Sequence, residues 1–171
     1  MSRVPEVVTA VCHLYRKPIM KRFACIASIL SLLIAVAATA QVTRPASEQA
    51  LVRAIYQEFI AVNSGFTTGS TTPVVQAAVA RLKAAGFPDG DIHVDGAHPN
   101  KMNLVVRYRG SGSQKPLLLL AHTDVVEAKR EDWTMDPFQL TEKDGYFYGR
   151  GVGDDKAQAA VWIANLIQYR K

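Results

Sequence analysis

Two stretches of the chain carry residue types that chemistry uses. The apolar run Pro116–Ala121 leads into His122-Thr123-Asp124, and Gly149-Arg150-Gly151-Val152-Gly153 leads into Asp154-Asp155-Lys156. A histidine and an aspartate two apart at the end of an extended run leave the backbone on the same side. Ligands of α/β sheets collect at the carboxyl ends of strands. A carboxylate beside an imidazole fixes its tautomer and raises its basicity, which is how a metal-bound histidine is usually supported. Taken alone, a histidine after a strand is more often structural. In the second stretch three glycines allow a tight backbone path, and two acids then open a helix. Capping and the helix dipole favour acids there, so a plain helix cap is the competing reading. A phosphate loop is excluded, because two carboxylates would repel a phosphate and neither G-x-G-x-x-G nor G-x-x-x-x-G-K-[ST] is present.

The elements that must position these residues follow from the hydrophobic pattern. Ser47–Asn63 reads as a helix with Ser47 as its N-cap and Leu51, Ile55, Phe59 and Val62 on one face. Ser64–Ser70 is a Gly/Ser/Thr loop. A second helix starts at Thr72-Pro73, with Thr72 as cap and Pro73 in the first helical position. Its apolar positions include Val75, Val79 and Leu82, and it stops at Gly86. The period then becomes two: a short strand around Ile92 and Val94, a second over Asn103–Arg109, a turn over Gly110–Lys115, and a third strand over Pro116–Ala121. That third strand is apolar on both faces, as expected of one in the middle of a covered sheet. Phe138–Thr141 and Tyr146–Tyr148 form a hairpin about Asp144-Gly145. Asp155–Tyr169 is a final helix with Ala159, Ala160, Ile163, Ala164 and Ile167 inward. This order predicts an α/β domain with a mixed sheet.

The charge is unevenly placed. The chain has 171 residues and a formal net charge of +5, but residues 1–40 carry +4 of it and residues 41–171 only +1. A nucleic-acid partner therefore has no basic surface to justify it. Met20-Lys21-Arg22, the uncharged apolar run 23–37 and Ala38-Thr39-Ala40 have the layout of a secretory signal peptide, with signal peptidase cutting between Ala40 and Gln41. The run is shorter than the ~20 apolar residues of a membrane span, which favours a cleaved signal over the alternative, an uncleaved membrane anchor. Residues 1–19 read as a mis-called start extension. Cys12 and Cys25 both precede Ala40, so the mature chain has neither disulfide nor thiolate, and a metal there must use histidine and carboxylates. His93 and His98 read as surface residues.

Together, the apolar strand ending in His122-Thr123-Asp124, then Trp133, Asp136-Pro137-Phe138, the hairpin, Tyr148-Gly149-Arg150-Gly151 and Asp154-Asp155-Lys156 form a long ordered pattern. It resembles the di-zinc metallopeptidase and amidohydrolase family of aminoacylase, carnosinase, glutamate carboxypeptidase, acetylornithine deacetylase and succinyl-diaminopimelate desuccinylase. The likeness covers Ser47–Lys171 in element order and is specific from Leu117 to Lys156. It implies the N-terminal part of a zinc-exopeptidase-like mixed-sheet α/β/α catalytic domain, and two Zn2+ per complete active site, with Co2+ or Mn2+ as substitutes. It further implies that His122 is a zinc ligand, Asp124 its catalytic orienter and Asp154 the carboxylate bridging both metals. Asp155 follows across a cis peptide, Gly151 and Gly153 give the backbone room, and Trp133, Pro137, Phe138 and Arg150 support the site.

The family's Glu-Glu pair, of which the first member is the general base, its further acidic ligand and its C-terminal histidine are expected beyond the helix that starts at Asp155. Glu127, Glu131 and Glu142 precede Asp154 and cannot fill those places in the family order. The expectation is an exported enzyme fragment over 41–171, periplasmic or secreted. It would act on a peptide or N-acyl amino acid only when completed and would be inactive alone. The remaining catalytic strands and a dimerisation domain would be missing, and a homodimer belongs to the full-length protein. The alternative is a non-catalytic, membrane-anchored binding module that reuses the fold.

Overall fold

The computed structural model describes residues 43–171. The readings that fall on Met20, Cys12, Cys25, the run 23–37 and the Ala40–Gln41 cut lie outside them. Three helices make the core: α1 (Ala46–Ile60), α2 (Thr72–Ala84) and α3 (Lys156–Arg170). Ile55, Phe59 and Ile60 of α1, Val74, Ala78 and Leu82 of α2, and Ala160, Ile163 and Ala164 of α3 pack into one buried cluster. Each large apolar side chain so removed from water contributes ~1.5–3 kcal/mol. The five inward residues expected on the last helix are all buried. On α1 the apolar stripe is wider than expected, because Tyr56 and Ile60 join Ile55 and Phe59.

Both N-caps differ from expectation. α1 is entered through Pro45, whose carbonyl accepts the Glu48 and Gln49 amides at 3.0 and 3.1 Å. Proline presets that entry, and Ser47 lies inside the first turn. α2 is capped at Thr71, with Thr72 already helical. Neither threonine caps with its hydroxyl. Thr71 Oγ1 donates to the Met102 carbonyl at 3.1 Å and Thr72 Oγ1 to the Pro99 carbonyl at 2.6 Å. The far end of α2 is as predicted. Gly86 takes a φ of +84°, and the Phe87 amide reaches back to the Leu82 carbonyl at 3.1 Å, a Schellman closure.

The strands form two separate antiparallel pairs. β1 (Ile92–Asp95) pairs with β2 (Asn103–Val106), with Ile92 opposite Val106. β3 (Thr141–Lys143) pairs with β4 (Tyr146–Tyr148), and Asp144 and Gly145 turn between them at φ +54° and +80°, a type I′ geometry. This hairpin docks on α1: Phe147 meets the Tyr56 ring edge-on at 5.6 Å, and Arg53 lies over Phe147 while pairing with Glu142. β2 is shorter than expected because its partner ends: Asp91, opposite Arg107 in the same register, belongs to the 3-10 turn Asp89–Asp91. The Arg107 amide donates to the Asp91 carbonyl at 2.9 Å, and the Arg109 guanidinium to its carboxylate.

The α/β class stands, but among the described residues the sheet is not one continuous mixed sheet. Its parallel component is a single bridge between Gly65 and Val125. The expected central strand at 116–121 is extended chain without a ladder. Leu117 is 83% exposed and Leu120 70%. A strand inside a sheet needs a partner on each side, and none is registered against this segment. The Leu120 carbonyl instead accepts from the Gln158 and Trp162 side chains of α3 at 2.9 and 3.4 Å. Among the described residues no helix is long and apolar enough to cross a membrane.

Candidate metal centre

The segment after Ala121 is pinned at Val125, which is buried and donates its amide to the Ser64 carbonyl at 3.2 Å. Just before it, Thr123 is held by the Ser64 hydroxyl, 2.6 Å from its carbonyl oxygen. His122 and Asp124 on either side are left facing outward, their side chains about half exposed. The second half of the site comes from the glycine loop between β4 and α3. Gly151 has a φ of +87°, and a Cβ there would lie 2.8 Å from Val125 Cγ1 and 3.1 Å from the Lys156 stem. Only glycine lets the two segments approach so closely. Gly153 meets open space, so the expectation that it too makes room is corrected.

Lys156 is fully buried, its ammonium donating to the Val62 carbonyl at 2.7 Å. Burial pulls its pKa down to about 8. Arg150 supports the loop from outside. Its guanidinium lies 5.1 Å over the Trp133 ring, and its amide donates to the Pro137 carbonyl at 2.6 Å. Asp155 occupies the N-cap position of α3 but makes no capping hydrogen bond with its side chain, which weakens the plain helix-cap reading. The Asp154–Asp155 peptide is cis.

These two segments meet at one ring. His122 Nε2 lies 2.8 Å from Asp154 Oδ1. On its other side Nδ1 lies 3.2 Å from the Asp124 carbonyl oxygen and 3.3 Å from Asp124 Oδ1. Desolvation lowers the imidazole pKa, but the hydrogen bonds to Asp154 and Asp124 and their negative charge outweigh it and hold the pKa above its ordinary value. Both ring nitrogens thus face only acceptors. A neutral imidazole carries one N–H, so the second nitrogen needs either a proton or a cation between it and Asp154. Imidazole nitrogen and carboxylate oxygen are donors that zinc accepts. The donor set fits part of such a site, and no more. Among the described residues no group of three or more His, Cys, Asp or Glu is arranged to hold a metal, whereas a catalytic zinc takes about three protein ligands. His93 and His98 are exposed, as expected.

Residues 118–171 match Peptidase family M20/M25/M40. These residues, the last third of the chain, are similar to that family. It is 41% identical over 105 residues to the succinyl-diaminopimelate desuccinylase of Xanthomonas euvesicatoria, an alignment covering 58% of this chain and 26% of that one. To the acetylornithine deacetylase of Pasteurella multocida it is 42% identical over 88 residues, covering 51% and 22%. In structure it resembles the di-peptidase Dug1p of Saccharomyces cerevisiae with a TM-score of 0.57 at 24% identity, over 72% of this chain and 29% of that one. That likeness is one of fold. The chain spans about a quarter of the length of these M20 relatives. His122, Asp124 and the Asp154 loop all fall inside the matched stretch.

Sequence reasoning missed Ser64, Lys156 and Glu127 as supports of the site. Lys156 had left a signal. A cation in the first turn of a helix opposes the helix dipole, so a lysine opening an otherwise apolar helix face is a candidate for burial. Ser64 and Glu127 had none, because their partners are distant in sequence.

Proposed function

We propose that this chain supplies the first part of a zinc-dependent M20 hydrolase site that cleaves a peptide or N-acyl amide bond. The reading rests on one observation: His122 Nε2 and Asp154 Oδ1, 32 residues apart within the family-matched region, meet at 2.8 Å. His122 and Asp154 are the residues that would hold the metal. When bound, zinc polarises an amide carbonyl and acidifies water.

The chain's own residues prepare that chemistry. Asp124 accepts the Nδ1 proton of His122, so that Nε2 is directed at Asp154. Arg150, stacked on Trp133, and Lys156, anchored on Val62, hold the Asp154 loop. The general base and remaining ligands are assigned to sequence outside these 171 residues, and on this reading the chain alone does not turn substrate over. The names of its relatives point to an N-acyl amino acid or a dipeptide as substrate. The apolar run 23–37, with Lys21-Arg22 before it and Ala38-Thr39-Ala40 after it, supports export and cleavage after Ala40. Homodimerisation is assigned to the full-length protein.

The test is a graft. The aligned stretch of this chain replaces its counterpart in the Xanthomonas desuccinylase. The hybrid is expected to hydrolyse an N-succinyl amide with added zinc, and to lose at least a hundredfold in rate on His122→Ala or Asp154→Asn. Hybrids whose rate ignores both substitutions would refute the assignment.

A further inference from the structure

The joint between α1 and the loop that follows it touches both halves of the site. Val62 accepts the ammonium of Lys156, two residues beyond Asp154, at 2.7 Å. Ser64, fully buried, makes two hydrogen bonds to the other half. Its hydroxyl donates to the Thr123 carbonyl at 2.6 Å, and its carbonyl accepts the Val125 amide at 3.2 Å. Thr123 lies between His122 and Asp124, so the plane of its peptide sets where both side chains leave the backbone.

The loop itself is clamped. Glu127 takes the Thr67 amide and hydroxyl at 2.6 and 2.7 Å and the Thr68 hydroxyl at 2.6 Å. The Lys101 ammonium spans the Gly65 and Gly69 carbonyls at 2.9 and 3.2 Å. A hydroxyl carried on so restrained a loop can fix an orientation instead of following it.

We infer that Ser64 is a positioning residue: its hydroxyl holds the Thr123 peptide so that His122 presents Nε2 to Asp154. The inference rests on the metal-site reading for its purpose, but not for its geometry. A hydroxyl is a strong donor and a thiol a weak one of similar size, so Ser64→Cys removes the hold while keeping the packing.

The experiment compares the ring-nitrogen resonances of His122 in the metal-free 171-residue chain, at one pH, for wild type, Ser64→Ala, Ser64→Cys and Leu82→Ala. His122→Ala assigns the signal. Wild type is expected to show both nitrogens hydrogen-bonded, and both Ser64 variants a resolved shift of Nε2 toward a free imidazole. Leu82→Ala, a core cavity remote from the ring, is expected to lower the melting temperature and leave the His122 signal in place. Wild-type resonances in folded Ser64→Cys overturn the inference. So does loss of cooperative melting in Ser64→Cys, which would make Ser64 a residue of the fold alone.

A zinc titration of the same samples separates this from the functional reading. Loss of the hold is expected to weaken zinc about tenfold, the lower end for residues that orient a ligand. If wild type takes up no zinc, the metal reading fails, while the resonances still decide the role of Ser64.

Discussion

Asp154 Oδ1 lies 2.8 Å from His122 Nε2, although 32 residues separate the two. Nothing local brings them together. His122 is held in place through Thr123 and Val125 by Ser64, and Asp154 is held by a loop whose Gly151 lies against Val125 and whose following helix starts at the buried Lys156. The pair is the product of two segments converging on the end of α1.

The two glycines before Asp154 are expected to differ sharply. Gly151→Ala puts a Cβ 2.8 Å from Val125 Cγ1 at a φ of +87°. Left-handed backbone and overpacking together predict a loss of ~2 kcal/mol or more. Gly153→Ala meets open space and is expected to stay within ~0.5 kcal/mol of wild type. Urea melts of both variants check this, and equal losses would contradict the close approach at Gly151.

Lys156→Ala is expected to cost ~2–5 kcal/mol, from the cavity left by the aliphatic stem and from the unpaired Val62 carbonyl. Lys156→Met refills the cavity without the donor and is expected to recover more than half of that loss. Denaturant midpoints of the pair decide it. If Met is as damaging as Ala, the ammonium and not the stem does the holding.

The Glu127 clamp is expected to fail in acid. Hydrogen bonds from Thr68 and Thr67 hold its carboxyl down at about 2, against an ordinary 4.5. A carboxyl with a depressed folded pKa stabilises fully above its unfolded pKa and loses that contribution as pH falls through the folded value. The stability gap between wild type and Glu127→Gln is therefore expected to be constant above about pH 5, to shrink below 4.5 and to vanish near pH 2. Unfolding curves across that range test it, and a pH-independent gap would contradict the clamp.

The sequence made the helices readable and the sheet less so. Helical periodicity is local, which is why the buried face of α3 and the glycine closure of α2 are where the pattern puts them. The Asp144-Gly145 turn is equally local. The segment 116–121 was misread because an apolar run specifies burial only if partner strands exist, and pairing is a property of the whole fold. The N-caps of α1 and α2 moved for a related reason. Thr71 and Thr72 turn their hydroxyls to carbonyls about thirty residues away, a competition that no short window contains. At the site, His122, Asp124 and Asp154 could be named from type, spacing and family likeness, whereas Ser64 became visible only once Thr123 was placed against it.

The central claim is that His122 and Asp154 act as one metal-holding pair. Calorimetric titration of Zn2+ into the 171-residue chain, with His122→Ala, Asp154→Asn and the double variant, tests it most directly. The account predicts weak uptake by wild type, a loss of about tenfold or more in either single variant, and a double variant no worse than the singles, because residues that act together are not additive. Equal zinc affinity in wild type and all three variants would contradict it.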